Sequence, residues 1–92
     1  MSYYLKDPTS RVTYAIDWLP YLGGETIVDS VWTVEPAEAG GIEADDPVRE
    51  EGRTAASLGG GTIGRVYRVS NRVTLSDGSI DERAIWLRVE ER

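Results

Sequence analysis

Three stretches of this sequence carry groups able to bind an ion or act on a substrate. The first is Gly59-Gly60-Gly61-Thr62-Ile63-Gly64, glycine-rich in the manner of a phosphate-binding loop. Such a loop needs a Lys followed by Ser or Thr opening a helix, so that backbone amides and the helix dipole converge on the anion. Here the glycines precede a β-type run and Arg65 stands alone. The stretch reads as a corner where the chain needs positive φ or close approach. The second stretch groups Asp77, Asp81 and Glu82, acids that could gather around Ca²⁺. The alternating acids and later bidentate Glu of a calcium loop are missing, and hairpin polarity accounts for the three. The third is residues 35–51, where Glu35, Glu38, Glu43, Asp45, Asp46, Glu50 and Glu51 face Arg49 alone. That run could dock a protein or hold a cation, but a charge run is first a solvated loop. Paired carboxylates also serve glycosidases, yet a thin domain of this size implies no cleft to hold the sugar.

The missing residue types narrow the chemistry further. Histidine and cysteine are both absent. This removes most zinc sites, Ser–His and Cys–His nucleophiles, disulfides and a histidine pH switch. No catalytic residue, metal or cofactor is therefore expected, and the chain is read as a non-enzyme. Its net charge of −6 resides in the acidic stretch. Without a basic stripe to neutralise phosphates, nucleic-acid binding is not expected. No apolar run approaches the length of a membrane span, and the first six residues lack a signal peptide's apolar core. These features lead to the expectation of a soluble protein made in a cytoplasm, with no membrane partner.

The elements that must position these residues read as strands. Residues 11–18 alternate, with Val12, Tyr14, Ile16 and Trp18 on one face. Residues 25–34 form a second strand, with Val28, Ser30, Trp32 and Val34 assigned to the inner face because Trp32 carries the largest apolar area. Short strands are expected near 41–44 and 53–58, with a loop through Asp45-Asp46-Pro47 between them. The clearest signal is residues 64–90, two alternating runs joined around Ser76-Asp77-Gly78-Ser79. Asp-Gly between such runs is a strong hairpin signature. No helix of ten residues is apparent. Phenylalanine is absent, so three Trp and five Tyr supply the aromatic packing. At 92 residues the chain is expected to be an extended arm over residues 1–10 and a single domain over 11–92. The pattern predicts an all-β antiparallel sandwich or small barrel. Its core is expected to include Val12, Tyr14, Ile16, Trp18, Trp32, Val34, Tyr67, Val69, Val73, Ile85, Leu87 and Val89.

Several motifs occur together in order: Asp7-Pro8, Tyr14-x-Ile16-Asp17-Trp18, Thr26-Ile27, Ser30-x-Trp32-Thr33-Val34, Gly60-Gly61-Thr62-x-Gly64, Tyr67-x-Val69-x-Asn71-Arg72-Val73-Thr74, Asp81-Glu82-Arg83 and Ile85-x-Leu87-x-Val89. Over about residues 6–90 this order resembles small proteins from the head–tail gene clusters of tailed phages and prophages, described as fiber–tail adaptors. The resemblance implies an immunoglobulin-like antiparallel β-sandwich of about seven strands. It implies a structural virion protein, made in the bacterial cytoplasm, whose partners are other virion or tail proteins, with copies of the chain arranged in a ring. The acidic residues 35–53 depart from the family pattern. The competing reading is a small β-sandwich module binding a carbohydrate or another extracellular ligand through its loops.

Two surfaces are expected to meet a partner. Arg68 and Arg72 project from the outer face of the strand at 64–75, and Trp86 and Arg88 from that of the last strand. Pairing through the Asp-Gly turn joins them into an Arg/Trp patch, the composition of interface hot spots. Ordinary cross-strand packing, with arginine stems over indole, is the simpler account of the same residues. Tyr3 and Tyr4 in the N-terminal arm form the second candidate, covering a sheet edge or adding a strand to a neighbour.

Overall fold

The computed structural model describes residues 2–91. Seven strands and one short helix follow in order: β1 (Ser2–Lys6), β2 (Val12–Asp17), α1 (Leu19–Leu22), β3 (Ile27–Glu35), β4 (Ile42–Glu50), β5 (Arg53–Gly60), β6 (Val66–Leu75) and β7 (Ile80–Val89). They form two layers, a four-stranded sheet ordered β1-β7-β6-β3 and a three-stranded sheet ordered β2-β5-β4. All neighbouring pairs are antiparallel except β1 with β7, which run parallel. The result is an immunoglobulin-like sandwich.

The β6–β7 hairpin forms as its Asp-Gly signature requires. Gly78 has φ +90°, a conformation that suits glycine. Asp77 Oδ1 accepts hydrogen bonds from the Ser79 amide at 2.9 Å and the Ser79 hydroxyl at 2.6 Å. The Asp77 carboxylate therefore braces the turn, and those bonds hold its pKa below the usual carboxylate value. The glycine stretch that ends β5 is a close-packed corner. A β-carbon on Gly61 would lie 2.6 Å from Val89 Cγ2, and one on Gly60 would lie 2.7 Å from the Gly41 carbonyl oxygen.

The alternating faces of β6, β7 and β2 meet between the sheets. One cluster holds Ile42, Leu58, Tyr67, Val69, Ile85, Leu87 and Val89; the other holds Ile16, Trp18, Leu22, Val73 and Leu75. Tyr14 and Trp32 pack against both, their rings edge to face at 5.7 Å. Trp32 thus faces inward, and its indole nitrogen is buried without a hydrogen-bond partner among the described residues. A chain of polar side chains crosses the second cluster and ties the layers together. Trp18 Nε1 donates to Thr54 Oγ1 at 2.9 Å, and Thr54 Oγ1 donates to Asn71 Oδ1 at 2.7 Å. Asn71 Nδ2 then donates to Ser30 Oγ at 2.8 Å and to the Val31 carbonyl at 3.2 Å.

Three expectations from sequence need correction. Val12 shares the inner face but is 38% exposed, because it sits on an edge strand beside an open cleft. Val28 points outward at 50% exposure, because β3 breaks register between Ile27 and Asp29 and it is Ile27 that packs on the core. Asp45-Asp46-Pro47 is not a loop but part of β4. Between Asp45↔Ser57 and Val48↔Ala55, β4 holds Asp46 and Pro47 while β5 holds Ala56 alone. This one-residue bulge takes Pro47, which has no amide to give, out of the ladder.

Candidate functional site

Cross-strand register places the outward residues of the four-stranded sheet in rows. Tyr3 opposes Trp86, Trp86 opposes Arg68, and Arg68 opposes Glu35. The next row is Leu5, Arg88 and Val66. Further along, Glu82 opposes Arg72, which opposes Val31. Directly opposed residues in a sheet share a face. Tyr3, Arg68, Arg72, Trp86 and Arg88 therefore lie on one surface, together with the exposed apolar side chains of Leu5, Val31 and Val66.

Tyr4 lies elsewhere. It opposes Leu87, an inward residue, and so projects toward the other sheet. Because β1 is an edge strand, Tyr4 is still about half exposed, and it lines an open cleft of about 380 Å³ with Val12, Tyr14, Leu58, Ile85 and Leu87. The two tyrosines of the arm thus serve different surfaces. Period two separates any two adjacent strand residues.

The cations of the outer face are already engaged within the chain. The Arg68 guanidinium lies 5.7 Å from the centre of the Trp86 ring and reaches Glu82 at 3.2 Å and Glu35 at 3.6 Å. Arg72 Nε donates to Glu82 at 3.2 Å, and Arg88 pairs with Glu90 at 2.6 Å. The hydrogen bonds from Arg68 and then Arg72 hold the Glu82 carboxyl below its usual pKa. Trp86 is half-buried under this lattice. The surface is thus an ordered mosaic of aromatic and aliphatic area among paired charges, suited to complementary contact with another folded surface.

The acidic stretch does not converge either. Asp45 pairs with Arg11 at 3.4 Å, Glu50 with Arg53 at 3.0 Å and Glu38 with Arg65 at 3.8 Å. Glu38 also accepts the Tyr67 hydroxyl at 2.9 Å. Among the described residues no three acids come together where a metal ion could sit. No helix of the described residues is long and apolar enough to cross a membrane.

Sequence reasoning missed Lys6. It is buried, and its ammonium donates to the carbonyls of Asp7 at 2.9 Å, Ser10 at 2.6 Å and Gly60 at 2.7 Å. No signal in the sequence marked it: its inward direction follows from its pairing opposite Val89, which only the topology supplies.

Comparison with known proteins gives this geometry a family. A model of the podophage GP4 fiber-tail adaptor protein gp77 family matches residues 6–88. The chain belongs to that family. No curated protein matches it. Among solved structures, the solution structure of the PKD domain from KIAA 1837 protein superposes with a TM-score of 0.60 at 16% identity, covering 95% of this chain and 80% of that one. At that identity the likeness concerns the fold alone. The family matched spans both the hairpin that builds the outer face and the β2 strand beside the cleft.

Proposed function

We propose that this gp77-family chain is a non-enzymatic structural part of a phage or prophage particle, an adaptor at the tail that works through protein–protein contacts. The observation that carries the reading is the family match over residues 6–88. The outer face of the four-stranded sheet supports it, because its Tyr3, Trp86 and arginine mosaic has interface composition, with cross-strand ion pairs among the aromatic groups. Its partners are other virion proteins, and contact is made with Arg68, Arg72, Trp86, Arg88 and Tyr3. Tyr4 belongs to the cleft side and contributes there.

The test is capture of purified tail and fiber proteins of the same phage by the immobilised chain. The wild-type chain is expected to retain at least one of them. The double variant Arg72→Glu/Trp86→Ser is expected to lose that capture while keeping its fold by circular dichroism. Failure to bind any tail component, together with clear hits on a glycan array, would favour the ligand-binding module instead.

A further inference from the structure

The sandwich has four edge strands, and three are blunted. Edge strands leave unpaired amides and carbonyls that template pairing with another chain, and proteins suppress this with short strands, bulges, prolines and inward charges. β4 carries a bulge, Pro47 and a run of acids. β3 breaks register near its start. β1 has five residues and turns Lys6 inward. β2, one residue longer than β1, has no bulge, proline or inward charge. It keeps unbroken register with β5 from Val12↔Leu58 to Asp17↔Arg53, and among the described residues its other edge pairs with nothing. Beside that edge lies the apolar cleft, flanked by the exposed side chains of Tyr4 and Val12.

The sequence of this edge complements itself. Two copies related by a two-fold axis must pair antiparallel, with each residue facing its mirror position. Opposed residues share a face, so the axis must pass through a residue and not between two. Centring it on Tyr14 opposes Val12 with Ile16, Thr13 with Ala15 and Arg11 with Asp17, each twice. Both Arg11 and Asp17 lie on the outer face. Arg11 covers Gly59, and Asp17 opposes Arg53 across β5. Shifting the axis to Thr13 or Ala15 removes both ion pairs. Arg11 is exposed; its guanidinium now lies over β5, 3.2 Å from Ser57 Oγ and 3.4 Å from Asp45, and serves a neighbour's carboxylate by exchanging these exposed contacts and swinging to the free edge. The same axis sets the two clefts, each flanked by Tyr4 and Val12, beside the joined edge.

We infer that β2 is a homodimer edge: two copies of this chain pair through residues 11–17, centred on Tyr14, to form a continuous six-stranded sheet closed at each end by an Arg11–Asp17 ion pair. This interface lies on a different surface from the Arg/Trp face and does not depend on the adaptor reading.

Charge exchange tests it. Light scattering over a concentration series should show the wild-type chain as a dimer. Arg11→Asp alone places two aspartates opposite each other at both ends, and Asp17→Arg alone places two arginines there. Each should weaken association by at least roughly tenfold, because like charges directly opposed destabilise a strand pair. An equimolar mixture of the two variants should dimerise again, since each then offers the charge the other lacks. The double variant Arg11→Asp/Asp17→Arg should also dimerise, and serves if either single variant fails to fold. A wild-type chain monomeric throughout the series would overturn the inference. So would a dimer indifferent to both exchanges, or exchanged variants that never recover pairing.

Discussion

At the scale of single residues, the least replaceable groups are polar ones that the core encloses. Thr54 is fully buried, accepts the Trp18 indole proton and passes its own to Asn71. Valine has nearly the same shape and no hydroxyl, so Thr54→Val strands a buried donor and a buried acceptor together. The expected loss is about 2–4 kcal/mol, since each unmet buried group costs about 1–3 kcal/mol; urea denaturation measures it. Tyr14 gives a second prediction. Burial pushes its phenol above the usual value near 10.0; Arg83 partly offsets this and Tyr4 adds to it. A tyrosine harder to ionise when folded contributes fully below its unfolded pKa, and that contribution is lost as pH rises through the folded value. The wild-type chain should therefore lose stability above about pH 10 more steeply than Tyr14→Phe does, as thermal melts over that range would show. Sequence put Tyr14 inward by alternation and Trp32 inward by its large apolar area. It gave no sign that Asn71 bridges the sheets, because its partners Thr54 and Ser30 lie on strands that only the topology brings near.

At the scale of elements, the strands legible in sequence were those whose own alternation specified them. β2, β6 and β7 each bury much of one face and leave most of the other open, so period two appears in their residues. β5 was faint because Ala55 and Ala56 have little strand preference. It is nonetheless the central strand of its sheet, paired on both sides, and that pairing overrides propensity. β4 was read as a loop at Asp45-Asp46-Pro47 because a bulge admits turn residues into a strand. The Arg/Trp surface was legible as a face, since register follows from the hairpin turn, whereas the division of Tyr3 from Tyr4 needed the parallel pairing of β1 with β7. Two glycines test how the connections differ. At Gly78 nothing lies near the place of a β-carbon, so Gly78→Ala meets only the strain of positive φ, about 1 kcal/mol. Gly61 has φ +110° and Val89 in the way. Gly61→Ala should cost about 2–4 kcal/mol, as overpacking adds to strain. Equal midpoints in a denaturant series would contradict the close-packed corner.

At the scale of the whole molecule, the sandwich is a set of edges managed differently. β7 is long and rich in apolar residues, and β1 covers one of its edges. What holds β1 there, beyond its ladder, is Lys6. Its ammonium reaches back to the turn after β1 and across to the end of β5, joining the arm to the opposite sheet. Burial lowers the pKa of this ammonium while the Asp7 carboxylate opposes the shift. Three carbonyl oxygens stand in for the water this nitrogen has lost. Lys6→Met fills the same space and leaves those carbonyls without their donor. The expected cost is about 2–4 kcal/mol, and it should fall unevenly. Amide exchange of residues 3–6 should rise toward that of a free segment while the β6 amides stay protected, because β6 is held by β3 and β7. With β1 released, β7 becomes a ten-residue unprotected edge, so the variant should also aggregate at concentrations where the wild-type chain does not. A Lys6→Met chain with unchanged exchange at residues 3–6 would show that the β1 ladder holds the arm without the lysine.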